Sequence, residues 1–164
     1  MPQVSVAQLF EDNRDKLRLA WVAGRDGGIK TLDSGHLKNS REGLIGHLNF
    51  IHPNWIQILA RPEIDHLNAL DTVTRQQTLH RLATSELACI IVAGGEHAPA
   101  HLTTLADTMH VALLASPLES VELMWMLRPY LARALAESTT MHGVFLDVLG
   151  MGVMITGDSG VGKS

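Results

Sequence analysis

Apolar positions in this chain follow helical spacing in some stretches and form unbroken short runs in others, and the alternation between the two sets the predicted elements. Val6, Leu9, Phe10 and Leu17 fit one helix face, and Ser5-Val6-Ala7-Gln8 reads as a capping box, so a first helix is predicted near 6–16. Leu17 to Val22 is a candidate short strand, Gly24 to Gly28 a turn, and the polar segment 33–42 a surface loop. Strands are predicted near Gly43–Leu48 and Trp55–Ala60, with His52-Pro53-Asn54 turning between them because proline cannot donate to a ladder. Pro62 opens a helix whose inner face carries Ile64, Leu67 and Leu70. Thr72 caps another, with Val73, Leu79 and Leu82 inward.

From residue 88 the pattern changes. Ala88-Cys89-Ile90-Ile91-Val92-Ala93 is apolar throughout and stops at Gly94-Gly95, as expected of a strand buried on both faces of a parallel sheet. A helix opening at Pro99 follows, with Leu102, Leu105, Ala106 and Met109 in helical register, and then a second buried strand, Val111–Ala115. Strand, helix and strand in this order predict a βαβ unit. Leu118 to Ala136 is a long helix with Leu123, Met124, Leu127, Leu131 and Leu135 on one side. Pro129 should kink or restart it, and the methionines and Trp125 are expected to pack in the core. After the polar break Ser138-Thr139-Thr140, Val144–Leu149 and Val153–Thr156 read as a hairpin joined by Gly150-Met151-Gly152. The fold class is therefore α/β: an N-terminal domain over 1–136, with a mixed or parallel sheet flanked by helices, followed from 137 by a hairpin leading into a glycine-rich loop.

Composition narrows the class. Hydrophobic residues make up 46% of the 164 and charged residues 18%, which suits a globular core. A net charge of -4 without a Lys/Arg cluster argues against nucleic acid. No apolar run approaches the roughly 20 residues of a membrane span, and no signal peptide is visible, so a cytoplasmic protein is expected. The single cysteine, Cys89, sits among apolar neighbours and reads as core. The histidines form no metal-ligand pattern: His47 and His52 flank an apolar stretch, and of His97, His101 and His110 only the first two share helical spacing.

One motif carries chemistry. Gly157-Asp158-Ser159-Gly160-Val161-Gly162-Lys163-Ser164 satisfies the phosphate-binding P-loop, G-x-x-x-x-G-K-[ST], at every fixed position. Glycines permit the tight turn that points successive amides inward at nucleotide phosphates. Lys163 would reach the β- and γ-phosphates of ATP, and the Ser164 hydroxyl would be a ligand of Mg²⁺. The apolar strand Val153–Thr156 directly before it supplies the expected context. A P-loop also uses the amides and dipole of a helix that begins at its lysine. The sequence stops at Ser164, before that helix, so these residues alone are expected not to catalyse phosphoryl transfer.

The run from His142 through Gly143, the hairpin and the P-loop resembles the lead-in to the catalytic domain of the bacterial HPr kinase/phosphorylase family. Gly43-Leu44-Ile45-Gly46-His47, Trp55-Ile56-Gln57-Ile58-Leu59, Cys89–Val92 and Leu113-Leu114-Ala115-Ser116 resemble its N-terminal domain more loosely. The resemblance implies an enzyme that phosphorylates a serine of HPr, the carrier protein of the sugar phosphotransferase system, with ATP. It also implies removal of that phosphate by phosphorolysis, with inorganic phosphate as acceptor. Carried over, Gly157 to Ser164 bind nucleotide or phosphate, Ser164 contacts Mg²⁺, and His142 lies near the phosphates as a catalytic candidate. Its alternative is a turn residue at the domain boundary. Family members form hexamers at full length. Two other readings stand beside this one: a non-enzymatic α/β binding module with a vestigial nucleotide site, and another P-loop ATPase or kinase.

Overall fold

The computed structural model describes residues 2–35, 45–47, 55–136, 143–148 and 151–156. At its centre is a five-stranded mixed sheet of order β2-β7-β6-β5-β4. Its strands are β2 (Ala20–Ala23), β4 (Ile45–His47), β5 (Ile56–Leu59), β6 (Cys89–Val92) and β7 (Ala112–Ala115). β4, β5, β6 and β7 pair in parallel, and β2 closes one edge antiparallel to β7 with a register shift between Trp21 and Ala23. A small antiparallel pair, β1 (Gln3–Ser5) with β3 (Thr31–Asp33), lies outside this sheet.

The apolar runs become strands because both faces of the sheet are covered. Cys89 and Ile91 of β6 belong to one core cluster and Ile90 and Val92 to the other, the period of two expected of a strand. The first cluster includes Val6 and Leu9 of α1 (Val6–Asn13) and Leu123, Leu127 and Leu131 of α5 (Ser120–Ala134). The second takes in Ile64 and Leu67 of α2 (Arg61–Ala69), Leu79 and Leu82 of α3 (Thr72–Ala83), and Leu102 and Ala106 of α4 (Ala100–Met109). The predicted βαβ unit is β6-α4-β7, with Cys89 opposite Ala112 and Val92 opposite Ala115.

Several expectations are corrected. The first helix ends at Asn13 rather than 16, and the strand after it starts at Ala20, with Leu17 buried in the intervening turn. The capping box is half formed: Ser5 Oγ accepts from the Gln8 amide at 3.0 Å, while the Gln8 side chain donates instead to Asp12 Oδ1 at 2.6 Å. Where a turn is predicted over 24–28, a 3₁₀ helix spans Arg25–Ile29, with Gly24 as its N-cap. Asp33 ends β3, and Ser34 is buried, its amide bonded to the Pro2 carbonyl at 3.1 Å, so the surface loop does not begin at 33. In α2, Pro62 is the second residue, and Glu63 reaches back to the Ala60 amide at 2.9 Å. Asp71, not Thr72, precedes α3 as its N-cap, and Pro99 is the N-cap of α4.

Two apolar residues expected inside are outside: Val73 is 61% exposed and Trp125 76%. Helix α5 runs through Pro129 without a restart. Proline removes the amide that would bond the Trp125 carbonyl, but both residues lie on the exposed side, where solvent can satisfy that oxygen. Cys89 is fully buried, as expected. The predicted turn 52–54, the remainder of the 33–42 loop from 36 onward, and the flanks of β4 at 43–44 and 48 lie outside the described residues.

Candidate nucleotide site

The approach to the predicted phosphate loop is an antiparallel hairpin. β8 (Gly143–Val148) pairs with β9 (Met151–Thr156), from Gly143 opposite Thr156 to Val148 opposite Met151. The connection is the two residues 149–150, not the three residues 150–152: Met151 and Gly152 are already paired, with Gly152 opposite Asp147. Glycines at 150 and 152 suggested a longer turn, but a glycine can also occupy a ladder position when its backbone finds a partner. Since Gly143 faces Thr156, the chain enters and leaves the hairpin at one end. His142 is joined to Gly143 and Gly157 to Thr156, so both segments that carry the predicted chemistry depart from that end. His142 itself and Gly157, Asp158, Ser159, Gly160, Val161, Gly162, Lys163 and Ser164 lie outside the described residues.

Within the described residues a second glycine-rich turn invites comparison. Gly94 and Gly95 follow β6 at the carboxyl end of the parallel strands, both at positive φ (71° and 69°), where α/β sheets commonly bind ligands. Their amides are already used: Gly94 donates to the Leu118 carbonyl at 2.7 Å and Gly95 to that of Ser116 at 3.1 Å. This turn ties β6 to the start of α5 and offers no phosphate cradle.

The electrostatics of the described part concern buried or linked groups. Burial pushes the Cys89 thiol up to about 12, against a smaller opposing effect of nearby Lys30. The same burial lowers Lys30, whose ammonium donates to the Leu87 carbonyl. Desolvation and then the Arg75 charge lower His101. The structure separates His97 and His101, which share helical spacing: His97 precedes α4 and His101 lies in it, while His110 caps the helix in the left-handed region at φ 56°. Among the described residues no group of three or more His, Cys, Asp or Glu side chains is placed to hold a metal ion, and no helix is long and apolar enough to cross a membrane.

Comparison with known proteins identifies the family. The family described as "HPr Serine kinase N terminus" matches residues 4–131, and that described as "HPr Serine kinase C-terminal domain" matches residues 133–164. A protein of Nitrosomonas europaea named HPr kinase/phosphorylase is 49% identical over all of this chain and 51% of its own length. One of Chromobacterium violaceum with the same name is 44% identical over all of this chain and 51% of its length. A Ralstonia nicotianae protein, also so named, is 42% identical over 98% of this chain and 50% of its length. The chain thus spans about half the length of these relatives. Among solved structures, the CBS and DRTGG domains of the regulatory region of Clostridium perfringens pyrophosphatase cover 82% of this chain and 71% of that one, at a TM-score of 0.27 and 13% identity, too weak a likeness to bear on fold or function.

Proposed function

The chain belongs to the HPr serine kinase family, and on that premise we propose that, at the full length of its relatives, it is an ATP-dependent protein kinase that phosphorylates a serine of HPr and reverses the reaction by phosphorolysis. In the forward direction the serine oxygen bonds to the γ-phosphorus as the bond to ADP breaks. In reverse, inorganic phosphate takes the phosphoryl group from the serine and pyrophosphate leaves. One loop can serve both directions, because each needs a polyphosphate held by backbone amides and a lysine. In this reading residues 1–136 form the N-terminal domain and the catalytic part begins at 137.

The observation that carries the reading is the intact Gly162-Lys163-Ser164 at the end of a P-loop that directly follows β9. Gly157 to Gly162 would cradle the phosphates of ATP, Lys163 would neutralise their developing charge, and the Ser164 hydroxyl would hold Mg²⁺. When bound there, the metal would offset the negative charge of the phosphates. His142, joined to the other strand at the same end of the hairpin, would donate a hydrogen bond to a phosphate. The reading puts this protein in the cytoplasm, as a hexamer at full length.

The test uses the full-length protein with purified HPr, Mg²⁺ and ATP, followed by intact-mass analysis and then by addition of inorganic phosphate. One phosphoryl group should appear on an HPr serine and then be removed with release of pyrophosphate. A folded, ATP-binding protein that leaves the mass of HPr unchanged would move the assignment to a different P-loop enzyme.

A further inference from the structure

Helix α5 is apolar on two sides. Its inner side, Leu123, Leu127 and Leu131, is buried in the first core cluster. On its outer side Val121 is 58% exposed and Trp125 76%, and Pro129 and Ala132 are exposed with them. At 100° per residue, Val121, Pro129 and Ala132 each lie within about 40° of Trp125, so the four form one stripe about three turns long. A helix packed on a core by one face ordinarily shows water charged and polar residues on the other. Here the charges, Glu122 and Arg128, stand about 60° to either side of Trp125 and form a rim.

The stripe also carries an open acceptor. Pro129 has no amide to give to the Trp125 carbonyl, so that oxygen has lost its helical donor, and a donor from outside the helix can take the place. Single exposed apolar side chains are ordinary on a protein surface, but four in helical register are not scattered. A tryptophan at the centre, apolar neighbours along the helix, one hydrogen-bond acceptor and a charged rim are the anatomy of a protein interface.

The position of α5 in the chain says what covers the stripe. The match to the N-terminal family ends at 131 and the match to the C-terminal one begins at 133, so α5, which runs to Ala134, crosses the junction. This chain spans 51% of the length of two of its relatives, whose C-terminal domain is therefore joined to the same helix. A domain tethered so closely acts at an effective concentration of roughly millimolar, far above that of a second copy in dilute solution. A contact too weak to hold two separate molecules is enough to hold such a neighbour.

We propose that the outer stripe of α5 is the docking surface for the C-terminal domain of the same protein, with Trp125 as the buried anchor and its carbonyl oxygen as a hydrogen-bond acceptor. The proposal rests on membership of the family and not on the kinase reading. It also assigns a use to an apolar stripe that contributes nothing to the core of the N-terminal domain.

Hydroxyl-radical footprinting, read by peptide mass spectrometry, reports the exposure of single side chains and needs no enzyme activity. It is applied to the 164-residue chain and to the full-length protein. Trp125 should be oxidised at least about fivefold more slowly at full length, as an exposed indole becomes the centre of an interface. Ile29, 87% exposed and outside α5, is the control and should react alike in both. Trp125→Glu should lower the unfolding midpoint of the full-length protein and leave that of the 164-residue chain unchanged, because the side chain already stands in water there. Equal Trp125 rates at the two lengths would overturn the proposal. So would slow oxidation in the shorter chain that quickens on dilution, which would make a second copy the occupant, or an equal effect of Trp125→Glu on both proteins.

Discussion

Tyr130 Oη donates a 2.6 Å hydrogen bond to Asp12 Oδ2, joining α5 to α1 across 118 residues of sequence. The other carboxylate oxygen of Asp12 accepts from Gln8 at 2.6 Å, so one exposed aspartate organises the outer seam between two helices whose inner faces share a core cluster. Tyr130→Phe keeps the ring and removes the donor, and should lower stability by about 1 kcal/mol, the usual net worth of such a bond. Burial first, and then Asp12, raise the Tyr130 pKa above the ordinary 10.0. Above pH 10 the unfolded chain therefore releases this proton while the folded chain keeps it, so stability falls as pH rises from there. Chemical denaturation from pH 8 to 11 should give a shallower decline for Tyr130→Phe, and parallel curves would remove the linkage.

Gly24 cannot carry a side chain. It stands at φ 66°, its amide donates to Asp107 Oδ1 at 2.8 Å, and a Cβ there would lie 1.8 Å from the Val111 carbonyl oxygen. Both the backbone conformation and the space oppose substitution, so Gly24→Ala should cost about 3 kcal/mol or more. Gly28→Ala is the useful contrast. Its nearest obstacle, at 2.9 Å, is the movable ring of Trp21, and its φ is not in the left-handed region. Urea titrations of the two variants should differ by at least about 1 kcal/mol, Gly24→Ala being the weaker. Equal losses would mean that the loop at 24 shifts freely.

The parts of this fold that were legible in the sequence are those where local pattern and burial coincide. Strands β6 and β7 announce themselves as apolar runs because both faces of the parallel sheet are covered, and α5 because Leu123, Leu127 and Leu131 repeat at helical spacing. Trp125 is apolar by type, but its angle on the helix decides where it lies. At 100° per residue it sits about 160° from Leu127, on the solvent side. Strands β1 and β3 were missed because each has three residues and one buried apolar side chain, Val4 or Leu32, too little for any period. Their existence depends on pairing each other across the chain. The phosphate loop was legible as a motif, since its glycines and lysine are consecutive. A cleft between α3 and α4 was not, because residues that line it, such as Arg75 and His101, come from different helices.

Cys89 should be unreactive until the protein opens. It is fully buried, and its pKa of about 12 leaves about one thiol in ten thousand ionised near pH 8. Desolvation outweighs the attraction of Lys30, so the nearby ammonium does not make this an activated thiol. Addition of a disulfide reagent such as DTNB to the native chain should therefore label it only at the rate of transient opening, and in denaturant to one equivalent within minutes. Rapid stoichiometric labelling under native conditions would mean that the centre of the sheet is far more open than its packing.

In the proposed reading, forward and reverse activities use one phosphate loop, which makes a specific demand on mutants of the full-length protein. Lys163→Ala removes the only side-chain cation of the motif, and should lower both HPr phosphorylation and phosphorolysis about a hundredfold or more, the scale of losing one electrostatic contact to a transferring group. Lys163→Arg keeps the charge but not its reach, and should recover part of the loss in both directions. His142→Ala should reduce both rates to a smaller degree, since it adds one hydrogen bond where the loop supplies several. Initial rates with HPr and with its serine-phosphorylated form, measured on the same preparations, decide the matter. A lysine variant that loses one activity and keeps the other would require two separate phosphate sites, and His142→Ala with both rates intact would return that residue to the role of a turn before β8.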